Sequence, residues 1–335
     1  MRMRHLMAAL LATALIVPAL CACDTSGVDA GISMAYDGQY DSHEFSITLP
    51  EETGEYTYTQ TGVSFQDENI YAFFSGYSTN DHTDTTTHLK IYDVNGFERD
   101  IEISYPGDDR DDHIYKTYGI IPNDDGLTAT AYLEVKPVNA PVYNIYTSTI
   151  DLMTGEGSEL IRVEEIDGTR QYVSSVRKVG DYICIDYGEI AGNSDDYDMS
   201  PSYLFYKDGV LVSTFKASDH PECSSAYCLD SMSYSDGIIV MKFYTTTGFL
   251  SFEYDPIEDT CVNFEKYSEN LDKMNCCMQY ANYLPDYGNS DYDNIHILSD
   301  TEDMVVFLLK NGGRKTGEQR TVMVLQKTSG NPNIK

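Results

Sequence analysis

The 335-residue chain has no tryptophan, and its 22 basic side chains face 54 acidic ones. Without tryptophan, the bulk of any core has to come from its 28 tyrosines, 12 phenylalanines and aliphatic residues. The scarcity of Lys and Arg argues against nucleic acid as a partner, because a strongly negative field repels phosphate backbones and anionic surfaces. Long apolar runs are also missing. The longest, Leu6 to Leu20, holds about 15 residues and contains Pro18, short of the roughly 20 that a membrane-spanning helix needs. Motifs of catalysis are absent as well. His43, His82, His88, His113, His220 and His296 fall in no H-E-x-x-H, and no G-x-S-x-G or phosphate loop occurs.

What is present begins at the amino terminus. Arg2 and Arg4 precede the apolar run, which ends in Leu20-Cys21-Ala22-Cys23; a basic start, an apolar middle and small residues at the end form the layout of a secretory signal. The last four residues resemble the bacterial lipobox, with Leu20, Ala22 and Cys23 in its aliphatic, small and acceptor places. That resemblance implies a signal peptide over 1–22, cleavage before Cys23 and a thioether-linked diacylglycerol on it. Two acyl chains suffice for stable anchoring at the membrane. Residues 23–40, rich in Gly, Ser and Asp, read as a flexible tether. Removal of 1–22 leaves 20 basic against 54 acidic side chains, a net charge of about −34 that favours solubility and cations or basic partners.

Beyond the tether, five short apolar or alternating runs recur. With Ile70, Leu127, Tyr182, Ile238 and Ile295 as markers, they are spaced by 57, 55, 56 and 57 residues. The first four follow another strand-like run across a hairpin turn: Asp67-Glu68-Asn69, Asn123 to Gly126, Gly180-Asp181 and Ser235-Asp236-Gly237. Third and fourth strand-like runs come after each marker. Four antiparallel strands repeated every 40 to 60 residues describe a β-propeller blade. The pattern is similar to the divergent propellers of bacterial surface lipoproteins, without the Trp-Asp signature of WD40 blades. It predicts an all-β domain over 41–330 of five to six four-stranded blades, near 57–105, 116–165, 172–217, 229–266 and 278–327, with the ring complete or left open. Residues Ile32 to Leu49 are candidates for a sixth blade or for closing the ring.

Site candidates are fewer. An exported chain permits disulfides, and Cys223 and Cys228 flank a four-residue loop that a local bridge can span. Cys184 lies in an inner strand and reads as a buried thiol. Asn289, Asp291 and Asp293 place oxygen ligands on alternating residues, a candidate calcium site, although they lack the glycine and distant Glu of a calcium loop. No other cofactor is expected. Most tyrosines are expected between blades, whereas Tyr197, Tyr287 and Tyr292 in loops are candidates for recognition. No catalytic residue is singled out. The expectation is therefore a non-enzymatic binding or scaffold module for a protein or glycan partner, lipid-anchored on the extracytoplasmic face of a cell membrane. The alternative is an extracellular propeller-type hydrolase or lyase acting on glycans or peptides. A solute-binding component of a transporter is a third reading and predicts two α/β lobes.

Overall fold

The computed structural model describes residues 40–50, 56–79, 85–106, 113–137, 142–167, 171–189, 201–268, 280, 284, 295–301, 303–310 and 320–327. Strand makes up 77% of the structure and helix 3%, and the twenty strands form five four-stranded sheets arranged as a five-blade β-propeller. Among the described residues no α/β lobe is present, so the transporter reading falls. The chain divides into two compact units, a larger one of residues 47–270 and a smaller one of 1–46 with 271–335.

In the smaller unit, β1 (Tyr40–Ile47) is the outer strand of the last sheet, whose order is β1-β20-β19-β18, with β18 at Ile295–Asp300, β19 at Met304–Lys310 and β20 at Arg320–Lys327. The N-terminal strand therefore completes the C-terminal sheet and does not start a sixth. This also moves the last repeat marker. Ile295 falls on the first strand of its blade, whereas the other four markers fall on or just before the second. Since β1 supplies the fourth strand, the C-terminal segment has only three to provide. Val305, Phe307, Leu309, Met323 and Leu325 pack with Tyr280 in this unit.

The larger unit holds four consecutive meanders: β2 to β5 (Tyr56–Gln66, Asn69–Ser78, Thr85–Asp93, Gly96–Ile103), β6 to β9 (His113–Pro122, Thr128–Pro137, Val142–Asp151, Ile161–Asp167), β10 to β13 (Gln171–Val179, Tyr182–Glu189, Pro201–Lys207, Val210–Lys216) and β14 to β17 (Ala226–Ser235, Ile238–Thr245, Gly248–Asp255, Thr260–Tyr267). Turn chemistry fixes their register. Asp67-Glu68, Asp208-Gly209 and Asp236-Gly237 all have positive φ at both turn positions, the type I′ geometry whose twist matches paired strands.

First strands form the inner edge of this unit. β2 touches β6, β6 touches β10, and β10 touches β14. The approach of β6 to β10 is close: a Cβ on Gly119 would stand 2.4 Å from the Val176 carbonyl oxygen. Outer strands are more exposed, as in β17, whose residues are all exposed or half-buried. Three apolar layers fill the gaps between blades. Tyr71, Phe73, Leu89 and Ile91 meet Ala129, Ala131 and Leu133. Tyr143, Ile145 and Ile166 meet Val176, Ile185 and Tyr187. Tyr203, Phe205 and Phe215 meet Met241, Phe243 and Phe252, with Phe215 and Phe252 stacked at 5.5 Å.

Candidate functional site

Polar residues interrupt the apolar layers at one level. Ser75, Glu134, Asp186 and Lys242 are each the fourth residue from the C-terminal end of the second strand of their blade, on β3, β7, β11 and β15. Their register partners on the first strands are Thr59, Lys116, Ser175 and Ser231. Side chains alternate faces along a strand. Ser75 therefore lies on the face that Phe73 turns to the next blade, Glu134 on the face of Tyr132, and Asp186 on the face of Cys184. The result is a polar rung across four successive blades, on the two innermost strands of each.

Glu134 is 8% exposed, and a buried carboxylate needs partners. The Tyr118 hydroxyl donates to Glu134 Oε2, the Tyr118 and Tyr143 hydroxyls are hydrogen-bonded, and the Val173 N–H from the next blade donates to the Tyr143 oxygen at 3.1 Å. Lys116 Nζ sits 4.7 Å above the Tyr118 ring, a cation–π contact. Burial, followed by the nearby Glu134 carboxylate, raises the Tyr118 phenol far above its ordinary value and pushes Tyr143 up to about 12. Tyr77, from the preceding blade, is raised by the same two causes.

Asp186 is half-buried, and its carboxyl is raised above the usual carboxylate range. Burial is the main cause; the Arg177 guanidinium and the Ser174 and Ser175 side chains pull the other way. Arg177 Nη2 donates to Ser175 Oγ at 2.9 Å and lies 3.6 Å from Asp186 Oδ2. Tyr203, 1% exposed, and the exposed Cys228 both feel this carboxylate, and burial followed by Asp186 raises each. The rung thus holds two carboxylates in neighbouring blades: one aligned by a buried tyrosine, the other biased by burial toward its protonated form.

The sites expected from sequence fall elsewhere. Cys223 and Cys228 are not joined. Cys223, on the 3-10 turn Pro221–Cys223, is buried in the aromatic layer with Phe215, whereas Cys228 is exposed on β14 near Asp186. Cys184 is fully buried, as expected. Cys23, the calcium candidates Asn289, Asp291 and Asp293, and Tyr197, Tyr287 and Tyr292 lie outside the described residues. Among the described residues, no group of three or more His, Cys, Asp or Glu is placed to hold a metal ion. Sequence reasoning missed Glu134, Asp186 and Arg177. One signal was there: Ser75, Glu134, Asp186 and Lys242 follow one another at 59, 52 and 56 residues, close to the strand repeat.

No family model matches the sequence, and no curated protein matches it. Solved structures do resemble the fold. One is a glycoside hydrolase, at 11% identity and a TM-score of 0.43, covering 91% of this chain and 97% of its own. A second is an α-L-arabinanase from Penicillium chrysogenum complexed with arabinobiose, at 14% identity and 0.45, covering 85% and 76%. A third is the polysaccharide lyase Uly1, at 13% identity and 0.40, covering 84% of this chain and 61% of the lyase. These neighbours are enzymes, which corrects the expectation of a non-enzymatic binding or scaffold module and favours the alternative of a glycan-acting hydrolase. At such identities the likeness is one of fold, so the chemistry has to be argued from this chain's own residues.

Proposed function

We propose that the chain is an extracytoplasmic propeller-type hydrolase acting on glycans, held at the membrane by lipid on Cys23. The observation that carries this reading is the presence of two partly or fully buried carboxyl groups, Glu134 and Asp186, at corresponding places on the second strands of neighbouring blades. Hydrolysis of a glycosidic bond uses two carboxyl groups, one to protonate the leaving oxygen and one to attack the anomeric carbon or to activate water. Asp186 suits the first role, since its raised pKa keeps a proton available nearer neutrality. Glu134, oriented by Tyr118, suits the second. The hydroxyls of Ser175 and Ser231 on the same rung offer partners for sugar hydroxyls.

The direct test is release of reducing ends from a panel of plant and microbial polysaccharides. Cleavage by the wild type that Asp186→Asn reduces at least ~100-fold is the expected result; a panel left uncut by the wild type would sink the hydrolase. For the anchor, Cys23→Ser is expected to move the protein from the membrane fraction to the soluble one. If the substituted protein stays with the membrane, the lipid is not what holds it there.

A further inference from the structure

Resting on the hydrolase reading, we infer that the glycan bound at this rung is anionic, a uronate-bearing chain whose carboxylates are received by Lys116, Arg177 and Lys242. The whole chain carries more than two acids for every base, 54 against 22. At the rung the two signs come level. Counting the second-strand residues, their first-strand partners and the charged side chains bonded to those partners, three cations (Lys116, Arg177, Lys242) stand with three acids (Glu134, Asp186, Asp230). Three successive blades contribute one cation each. A neutral sugar can use those donors only as hydrogen-bond partners, whereas a carboxylate gains charge pairing as well. A polyanion approaching so acidic a protein is repelled at long range and needs local positive charge to settle.

Arg177 is the best-formed of the three receivers. A guanidinium carries five donors in a planar fork that matches a carboxylate. Its side chain is 39% exposed, its bond to Ser175 occupies one donor, and the 3.6 Å to Asp186 is longer than a hydrogen bond. A substrate carboxylate drawn to this fork would also weaken the guanidinium's hold on Asp186. Because Arg177 is what pulls the Asp186 carboxyl down, an acidic substrate would push the proton donor further toward its protonated form. A carboxyl-reduced substrate would not.

The test compares full-length protein binding to oligogalacturonate, oligoguluronate and hyaluronate fragments of about six residues with binding to their carboxyl-reduced counterparts, alongside cleavage of each. At least one acidic oligomer is expected to bind about ten times more tightly than its reduced form. That ratio should shrink several-fold between about 50 and 500 mM salt as screening grows. Arg177→Gln and Lys242→Gln should each remove most of it, and Arg177→Lys should restore part. Reduced oligomers bound and cut as well as the acidic ones would overturn the inference while leaving a neutral-glycan hydrolase. An acidic oligomer held tightly but never cut would uphold anion recognition and remove the hydrolase. Binding to none of the six would overturn the inference outright.

Discussion

The two ends of the blades in residues 47–270 are built on different rules. At the hairpin end, most contacts of the turn acids are local, although Asp124 and Asp181 also accept from Lys178 and Tyr234 of the next blades. Asp151 accepts from the N–H groups of Met153 and Thr154, Asp255 from those of Ile257 and Glu258, and Asp125 from those of Leu127 and Thr128. Each acid satisfies its own turn, and the nearest neighbours in sequence are the partners. At the other end, partners come from far away. Tyr77, Tyr118, Tyr143 and Val173 gather around Glu134 from three blades, and Thr85 Oγ1 donates to the Tyr115 carbonyl oxygen across two. One end mainly closes blades and links them through exposed side chains; the other joins them through buried ones and leaves charged groups in the joint. A protein that only needed to fold would have had little reason to bury Glu134 there, since an apolar residue is cheaper to desolvate.

That contrast can be broken experimentally. The largest effect is expected from Asp186→Asn, which should lower glycan cleavage ~100-fold or more yet keep the melting temperature at neutral pH. The sign follows from linkage. The folded-state pKa of Asp186 is raised by burial, so the stability it contributes is full below its unfolded pKa and lost as pH rises through the folded one; Asn is uncharged like the protonated acid and gives up none of that stability. Next comes Gly119→Ala, where the added methyl meets the Val176 carbonyl. About 1–3 kcal/mol should be lost, seen as a fall of several degrees in thermal unfolding, with activity falling too because Tyr118 is adjacent.

Arg177→Gln should act on pH dependence rather than on stability. Removing the guanidinium lets the Asp186 pKa climb, so the alkaline fall in cleavage rate should move to higher pH, by about half a unit to one unit in a pH–rate profile. A shift the other way would take Asp186 out of the proton-donor role. The smallest effect belongs to the hairpin end. Asn123 Nδ2 donates to Thr128 Oγ1 at 2.8 Å and its Oδ1 accepts from Thr130 at 3.0 Å. Asn123→Ala should cost about 0.5–1.5 kcal/mol of unfolding free energy and leave cleavage unchanged. Activity loss here would mean that the two ends are coupled after all.

The same contrast explains how much was legible in the sequence. Hairpins such as Asp67-Glu68, Asp208-Gly209 and Asp236-Gly237 were readable because turn chemistry is local, and with the strand spacing they were enough for blades and class. The start of the last blade was misplaced because its fourth strand comes from roughly 250 residues earlier, and no local pattern records that. Glu134 and Asp186 escaped notice for a different reason. In an isolated sheet, a polar residue between apolar ones faces water, so both read as the solvent side of an alternating strand. Here the two blades that carry them, β6 to β9 and β10 to β13, are covered on both faces, and the supposed solvent side is the next blade.

The strand that completes the last sheet sets a clock on the protein's assembly. β20, the partner of β1, is made roughly 270 residues after it, which at about 5–20 residues per second is on the order of 15–50 s. Until then neither has its sheet neighbour, and an unpaired strand edge invites the wrong partner. Four blades can form in sequence while the first strand waits. The period of greatest exposure to misassembly is therefore fixed by the length of chain between the two strands and the pace of synthesis, and faster-folding blades would not shorten it.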